Sequence, residues 1–88
     1  MNVFTSWLID ARDDQTAVVP CKNWQHCSDL FRRTFGELEK NVPLLYFTAR
    51  FDKCWISIED GRKIEFLPLK ERLYYGRHWD VVFVPIAD

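Results

Sequence analysis

Residues 79–87, WDVVFVPIA, decide how this chain is read. Val81, Val82, Phe83 and Val84 are four consecutive apolar residues, followed by Pro85 and Ile86. A short run of β-branched and aromatic residues fits a strand with apolar neighbours on both faces. Such a strand belongs inside a sheet, with earlier strands flanking it. On that placement, Phe83→Asp buries an unpaired charge and unfolds the protein.

Working outward, Gly76 is a turn residue, and residues 69–75 (LKERLYY) read as a single helical turn before it. Residues 63–67 form a strand that Pro68 ends, entered through Asp60-Gly61, a good type I′ turn signal. Residues 44–51 and 54–58 are two further strands, joined by a tight hairpin at Asp52-Lys53. Residues 23–41 form the one strong helix. Asn23 is its N-cap, and Asn41 and Pro43 stop it. At helical spacing Trp24, Cys27, Phe31, Thr34, Phe35 and Leu38 share one stripe, with Leu30 and Glu37 flanking it. Residues 3–9 mix Val, Phe, Thr, Trp, Leu and Ile and read as a strand. Residues 10–14 (DARDD) are turn-like, and residues 15–19 resume strand character, so the N-terminus reads as a hairpin.

Runs of strands around one helix indicate an α+β fold. The element order is that of a β-grasp (ubiquitin-like) domain: a mixed sheet of four to five strands with one helix packed on one face. The last strand pairs parallel with the first, and residues 1–88 make a single domain. A rearranged α+β sandwich is the other architecture this order allows. One helix covers one face, yet the final strand is apolar on both alternations. Tyr46 and Trp55 also lie on the alternation opposite Phe47 and Ile56. The second face is therefore covered either by loops of the chain or by a partner protein.

The composition agrees with one small globular domain: 48% hydrophobic and 28% charged residues over 88 positions. Aromatic content is high at 16%, with four Trp, three Tyr and seven Phe, more than so short a chain buries completely. Twelve basic against thirteen acidic residues give a net charge of −1, which disfavours wholesale binding to a phosphate backbone. Three cysteines are an odd number and too few for a disulfide scaffold, so a reduced, intracellular setting is expected. The first ten residues have neither the cationic lead nor the apolar core of a signal peptide, and no apolar run approaches a membrane span.

No residue pattern carries a catalytic or metal signature. His26 and the cysteines at 21, 27 and 54 form no CxxC or HxxxH pair, and Cys27 lies on the apolar stripe, where a thiol packs as a small hydrophobe. A cysteine nucleophile would need His26 or His78 beside Cys21 or Cys54, and nothing in the sequence brings them together. Asp10, Asp13, Asp14, Glu59 and Asp60 are acidic turn residues, placed there by their local hydrogen bonding. Residues 70–79, KERLYYGRHW, mix basic and aromatic side chains. That mixture suits single-stranded nucleic acid, or else an irregular turn with Leu73 packed inward and Arg72 and Arg77 solvated. The near-neutral charge favours the turn. Tyr75, Arg77 and Trp79 are also residue types concentrated in protein–protein hot spots.

Tyr75-Gly76 followed by VVFVPIA resembles the end of the β-grasp domain of lambda-like siphophage tail-tip assembly proteins. In that family a Gly-containing turn leads into an apolar strand ending in a Val-Pro-x-Ala/Gly pattern, matched here by Val84-Pro85-Ile86-Ala87. The helix carrying Leu30, Phe31, Phe35 and Leu38, followed by strands, is similar in order and spacing. The family continues into a Gly/Ala-rich segment, whereas this sequence stops at Asp88 and lacks the Gly-Gly of ubiquitin-like conjugation. The resemblance implies a non-enzymatic role without cofactor or metal, binding other phage tail proteins. Its setting would be the cytoplasm of a bacterial host or the virion tail. The alternatives are a small phage-encoded inhibitor of a host protein and a single-stranded nucleic-acid binder. The expected partner-binding residues are Tyr46, Trp55, Tyr75, Arg77 and Trp79.

Overall fold

The first element is fixed by a cap. Asn2 is extended, and its side chain accepts the Thr5 N–H at 2.9 Å, opening helix α1 (Val3–Asp10). Phe4 and Leu8, one helical turn apart, are buried beneath it, and Trp7 packs against the same core. At its C-terminal end Arg62 Nη1 donates to the carbonyls of Leu8, Ile9 and Ala11 at 2.6, 2.9 and 3.2 Å. The expected N-terminal strand over 3–9 is therefore a helix, and there is no N-terminal hairpin. Its residue types favour a strand, but the Asn2 cap and the long-range anchor at Arg62 favour the helix.

The computed structural model describes residues 1–42, 46–59, 61–69 and 77–84. Strand β1 (Thr16–Cys21) leads into helix α2 (Trp24–Asn41), then β2 (Phe47–Arg50), β3 (Trp55–Ile58), β4 (Lys63–Pro68) and β5 (Val81–Val82). The five strands form one mixed sheet in the order β2-β3-β4-β1-β5. β2, β3 and β4 form an antiparallel meander, while β1 runs parallel to both β4 and β5. This is a small α+β domain with helices packed on a five-stranded mixed sheet, consistent with a β-grasp-like arrangement. The last strand is parallel to its neighbour as expected, but that neighbour is β1, read from sequence as the second strand, because the expected first strand over 3–9 is helix α1.

Helix α2 begins as its sequence indicates, with Asn23 accepting the His26 N–H at 2.9 Å. Cys27, Phe31, Thr34 and Leu38 are buried, Phe35 is half-buried, and Trp24 turns outward at 46% exposure, off the expected stripe. Phe31 meets Phe66 of β4 and Phe51 edge-on. Phe4 of α1 meets Phe66 and Phe83 in the same way, so both helices pack on one face of the sheet. Burying rings such as Phe31 and Phe66 contributes about 1.5–3 kcal/mol each. The helices are tied at their ends by Glu37 of α2. Its Oε1 accepts the Asn2 N–H at 2.7 Å and the Thr5 hydroxyl at 2.8 Å.

Two further expectations change. The final strand is at the sheet edge rather than inside it, with Val82 62% and Val84 83% exposed. Its other alternation, Val81 and Phe83, packs on the core below α1. An apolar run on both alternations thus reflects one buried and one open side. The β2–β3 connection is also wider than a two-residue hairpin: Arg50 pairs with Trp55, leaving Phe51, Asp52, Lys53 and Cys54 in the turn, with Cys54 at φ 55°. The expected helical turn over 69–75 lies almost entirely outside the described residues.

Candidate contact face

Cross-strand partners share a face of a sheet, so the register defines the side opposite the helices. Trp55 pairs with Glu65, Glu65 with Val18, and Val18 with Val82, giving one row across β3, β4, β1 and β5. Lys63 opposite Ser57 belongs to the neighbouring row. Val18 and Leu67 on this side are buried, and so is Glu65.

A carboxylate in that position needs compensating charge, because an unpaired buried ion costs several kcal/mol. Arg77 supplies it: Nη2 donates to Glu65 Oε1 at 2.5 Å. Lys63 Nζ lies 3.6 Å from the same oxygen. Each cation also stands over an indole, Lys63 Nζ 4.4 Å from the Trp55 ring centre and the Arg77 guanidinium 4.8 Å from that of Trp79. The order in space is therefore Trp55, Lys63, Glu65, Arg77, Trp79. Asp80 fastens this segment to β1, its Oδ2 accepting the Thr16 N–H at 2.8 Å while its own N–H donates to the Thr16 carbonyl at 2.9 Å. Residues 77–80 thus lie along the second face as part of its cover. What remains outward is amphipathic, two half-buried indoles and an exposed Arg77 beside exposed Val82.

Of the five expected contact residues, the structure brings Trp55, Arg77 and Trp79 together. Tyr46, 81% exposed, precedes β2 at the far edge of the sheet, beside a shallow cleft with Thr48 and Glu59. Tyr75 lies outside the described residues. Sequence reading missed Glu65 and Lys63, the two groups that organise the cluster. The alternation Lys63, Glu65 and Leu67 against Ile64 and Phe66 carried the signal, since it sets charged side chains on the side facing away from the core.

Cys21, Cys27 and Cys54 are all buried. A hydrogen bond with Cys21, and then burial, raise the Cys27 thiol far above its ordinary range, and burial raises that of Cys54. His26 Nδ1 accepts the Lys22 N–H at 3.1 Å. Among the described residues no group of three or more His, Cys, Asp or Glu side chains is arranged to hold a metal ion. No helix described is long and apolar enough to cross a membrane. Comparison of the chain with protein-family models, curated proteins and solved structures finds no match.

Proposed function

We propose that this chain is a non-enzymatic protein–protein interaction domain that receives its partner on the sheet face opposite the helices. The observation that carries this reading is the cluster Trp55–Lys63–Glu65–Arg77–Trp79. Its one buried carboxylate is paired with two cations, and its outward surface is indole and guanidinium, the chemistry concentrated in binding hot spots. Rigid aromatic groups already held in place lose little entropy on docking. Because Lys63 and Arg77 both serve Glu65, they are poorly disposed to neutralise phosphates, which disfavours the nucleic-acid reading. The proposed setting, assembly of a siphophage tail, is carried by the resemblance at Val84-Pro85-Ile86-Ala87 alone.

The test is co-purification with tagged protein from cells carrying its native genome neighbours, comparing wild type with Trp55→Ala and Trp79→Ala. Each variant is first checked for an unchanged circular dichroism spectrum. A tail protein retained by wild type and lost by both variants is the expected result. A host enzyme lost in the same way would move the setting to inhibition. Equal retention by all three proteins, or salt-sensitive retention of single-stranded nucleic acid instead, would overturn the contact face.

A further inference from the structure

Where α1 meets α2, a groove of about 410 Å³ opens between Phe4 and the outward side of α2, lined there by Leu30, Arg33, Gly36, Glu37 and Lys40. Its apolar part is Phe4 with the half-buried Leu30. Arg33 and Lys40 are exposed and seven positions apart, so they stand on one side of α2, about 10 Å from each other along its axis. Neither makes an ion pair or a side-chain hydrogen bond among the described residues. The carboxylates one turn from them are engaged elsewhere. Asp29 accepts from Gln25 Nε2 at 3.0 Å, and Glu37 turns its Oε1 to the Asn2 N–H and the Thr5 hydroxyl. Between the two cations lies Gly36, with nothing within 4 Å of where a Cβ would stand. A glycine inside a helix costs about 0.5–1 kcal/mol relative to alanine, and the packing of this fold gives no reason for it. Close approach of another backbone to the helix is the reason that a missing side chain supplies.

We propose that this groove binds a second protein, other than the one received on the sheet face, through a segment carrying an apolar residue flanked by two carboxylates. The apolar side chain covers Phe4 and Leu30, one carboxylate pairs with Arg33 and the other with Lys40, and the backbone of the segment crosses Gly36. Carboxylates are the complement because both cations keep their hydrogen-bond donors free of protein partners. Exposed ion pairs contribute little each, so they set the sign and register of the segment, while apolar contact and close approach at Gly36 supply most of the affinity. A second copy of this chain does not meet that description. A two-fold contact through the groove would set Arg33 and Lys40 against the same pair. The groove is on the helix side of the sheet and the Trp55 and Trp79 rings are on the other, so both sites can be filled together.

The experiment selects peptides from a random library on the immobilised protein. Their affinity is measured for wild type, the double variant Arg33→Glu/Lys40→Glu, Gly36→Ala and Trp55→Ala, each first checked for an unchanged circular dichroism spectrum. All three substituted groove positions are exposed. The selected peptides are expected to include a class with an apolar residue between acidic ones. That class should bind the charge-reversed variant at least about tenfold more weakly, since two attractions become two repulsions. Gly36→Ala should weaken it about threefold while raising the thermal midpoint, a combination that lost folding cannot produce. Its affinity for Trp55→Ala should equal that for wild type. Peptides untouched by both groove changes would overturn the proposal. If those peptides were lost on Trp55→Ala, the sheet-face reading would still stand. Loss on charge reversal with no response to Gly36→Ala would overturn the seating over the helix backbone. Self-association of wild type, abolished by Arg33→Glu/Lys40→Glu, would assign the groove to a second copy and overturn the heterologous partner. A library that yields no acidic class would overturn the groove outright.

Discussion

At Glu65 the balance of burial and pairing can be measured. Removing one partner of a buried ion pair costs up to about 3–5 kcal/mol. Lys63 stays within 3.6 Å of Glu65, and the Arg77 side chain is itself 43% exposed, so solvent and the second cation soften the loss. Arg77→Met should therefore destabilise by about 1–2 kcal/mol in urea unfolding. The double variant Arg77→Met/Glu65→Leu should recover most of that, since it leaves no carboxylate buried and the half-exposed Lys63 can be solvated. A second residue-scale prediction concerns Glu37, whose carboxyl is held below its ordinary range chiefly by the Asn2 N–H, then by the Thr5 hydroxyl. A depressed folded pKa means stability that is present above the unfolded value near 4.3 and is lost as pH falls through the lower folded value. The advantage of wild type over Glu37→Gln should thus be full at pH 6 and shrink below about pH 4, read from urea midpoints. Neither group was evident as a partner from sequence. Glu65 finds Arg77 and Glu37 finds Asn2 only through the fold, while Trp55, Arg77 and Trp79 stood out by residue type alone.

Among the elements, two glycines with opposite environments separate backbone freedom from packing. Gly36 lies in α2 with nothing within 4 Å of where a Cβ would stand, so Gly36→Ala should stabilise by about 0.5–1 kcal/mol. Gly61 has φ 94°, and a Cβ there would collide with the Asp14 carboxylate, so Gly61→Ala should cost more than about 1 kcal/mol. Thermal midpoints moving in opposite directions would bear this out. The edge position of β5 also changes what Phe83→Asp does. Phe83 packs against Phe4 at 5.1 Å and Trp7 at 6.4 Å, so the variant should free α1 before the rest. Amide exchange over 3–10 should accelerate while α2 stays protected. Equal loss throughout would contradict that picture. Helix α2 was legible because its cap and stripe are local signals. Helix α1 was not, because Val3, Phe4, Thr5, Trp7 and Ile9 carry strand-favouring types, and its ends are fixed from residues 37 and 62.

Over the whole molecule, the sheet separates a helix-covered core from a face where two cations flank one buried carboxylate between two indoles. The α+β class and a parallel last strand were legible from element order, though its partner is β1 rather than the segment over 3–9. The strand order was not, because β4-β1-β5 pairing joins segments more than forty residues apart, and periodicity carries no information about which strand is the edge. The most direct measurement is a hydrogen-exchange footprint of the protein with and without the co-purified partner that Trp55→Ala loses. Protection confined to residues 55–57 and 77–84, with the outer surface of α2 unchanged, is expected. Protection on α2 or around Tyr46 instead, with 77–84 unaffected, would contradict the assignment of the contact face.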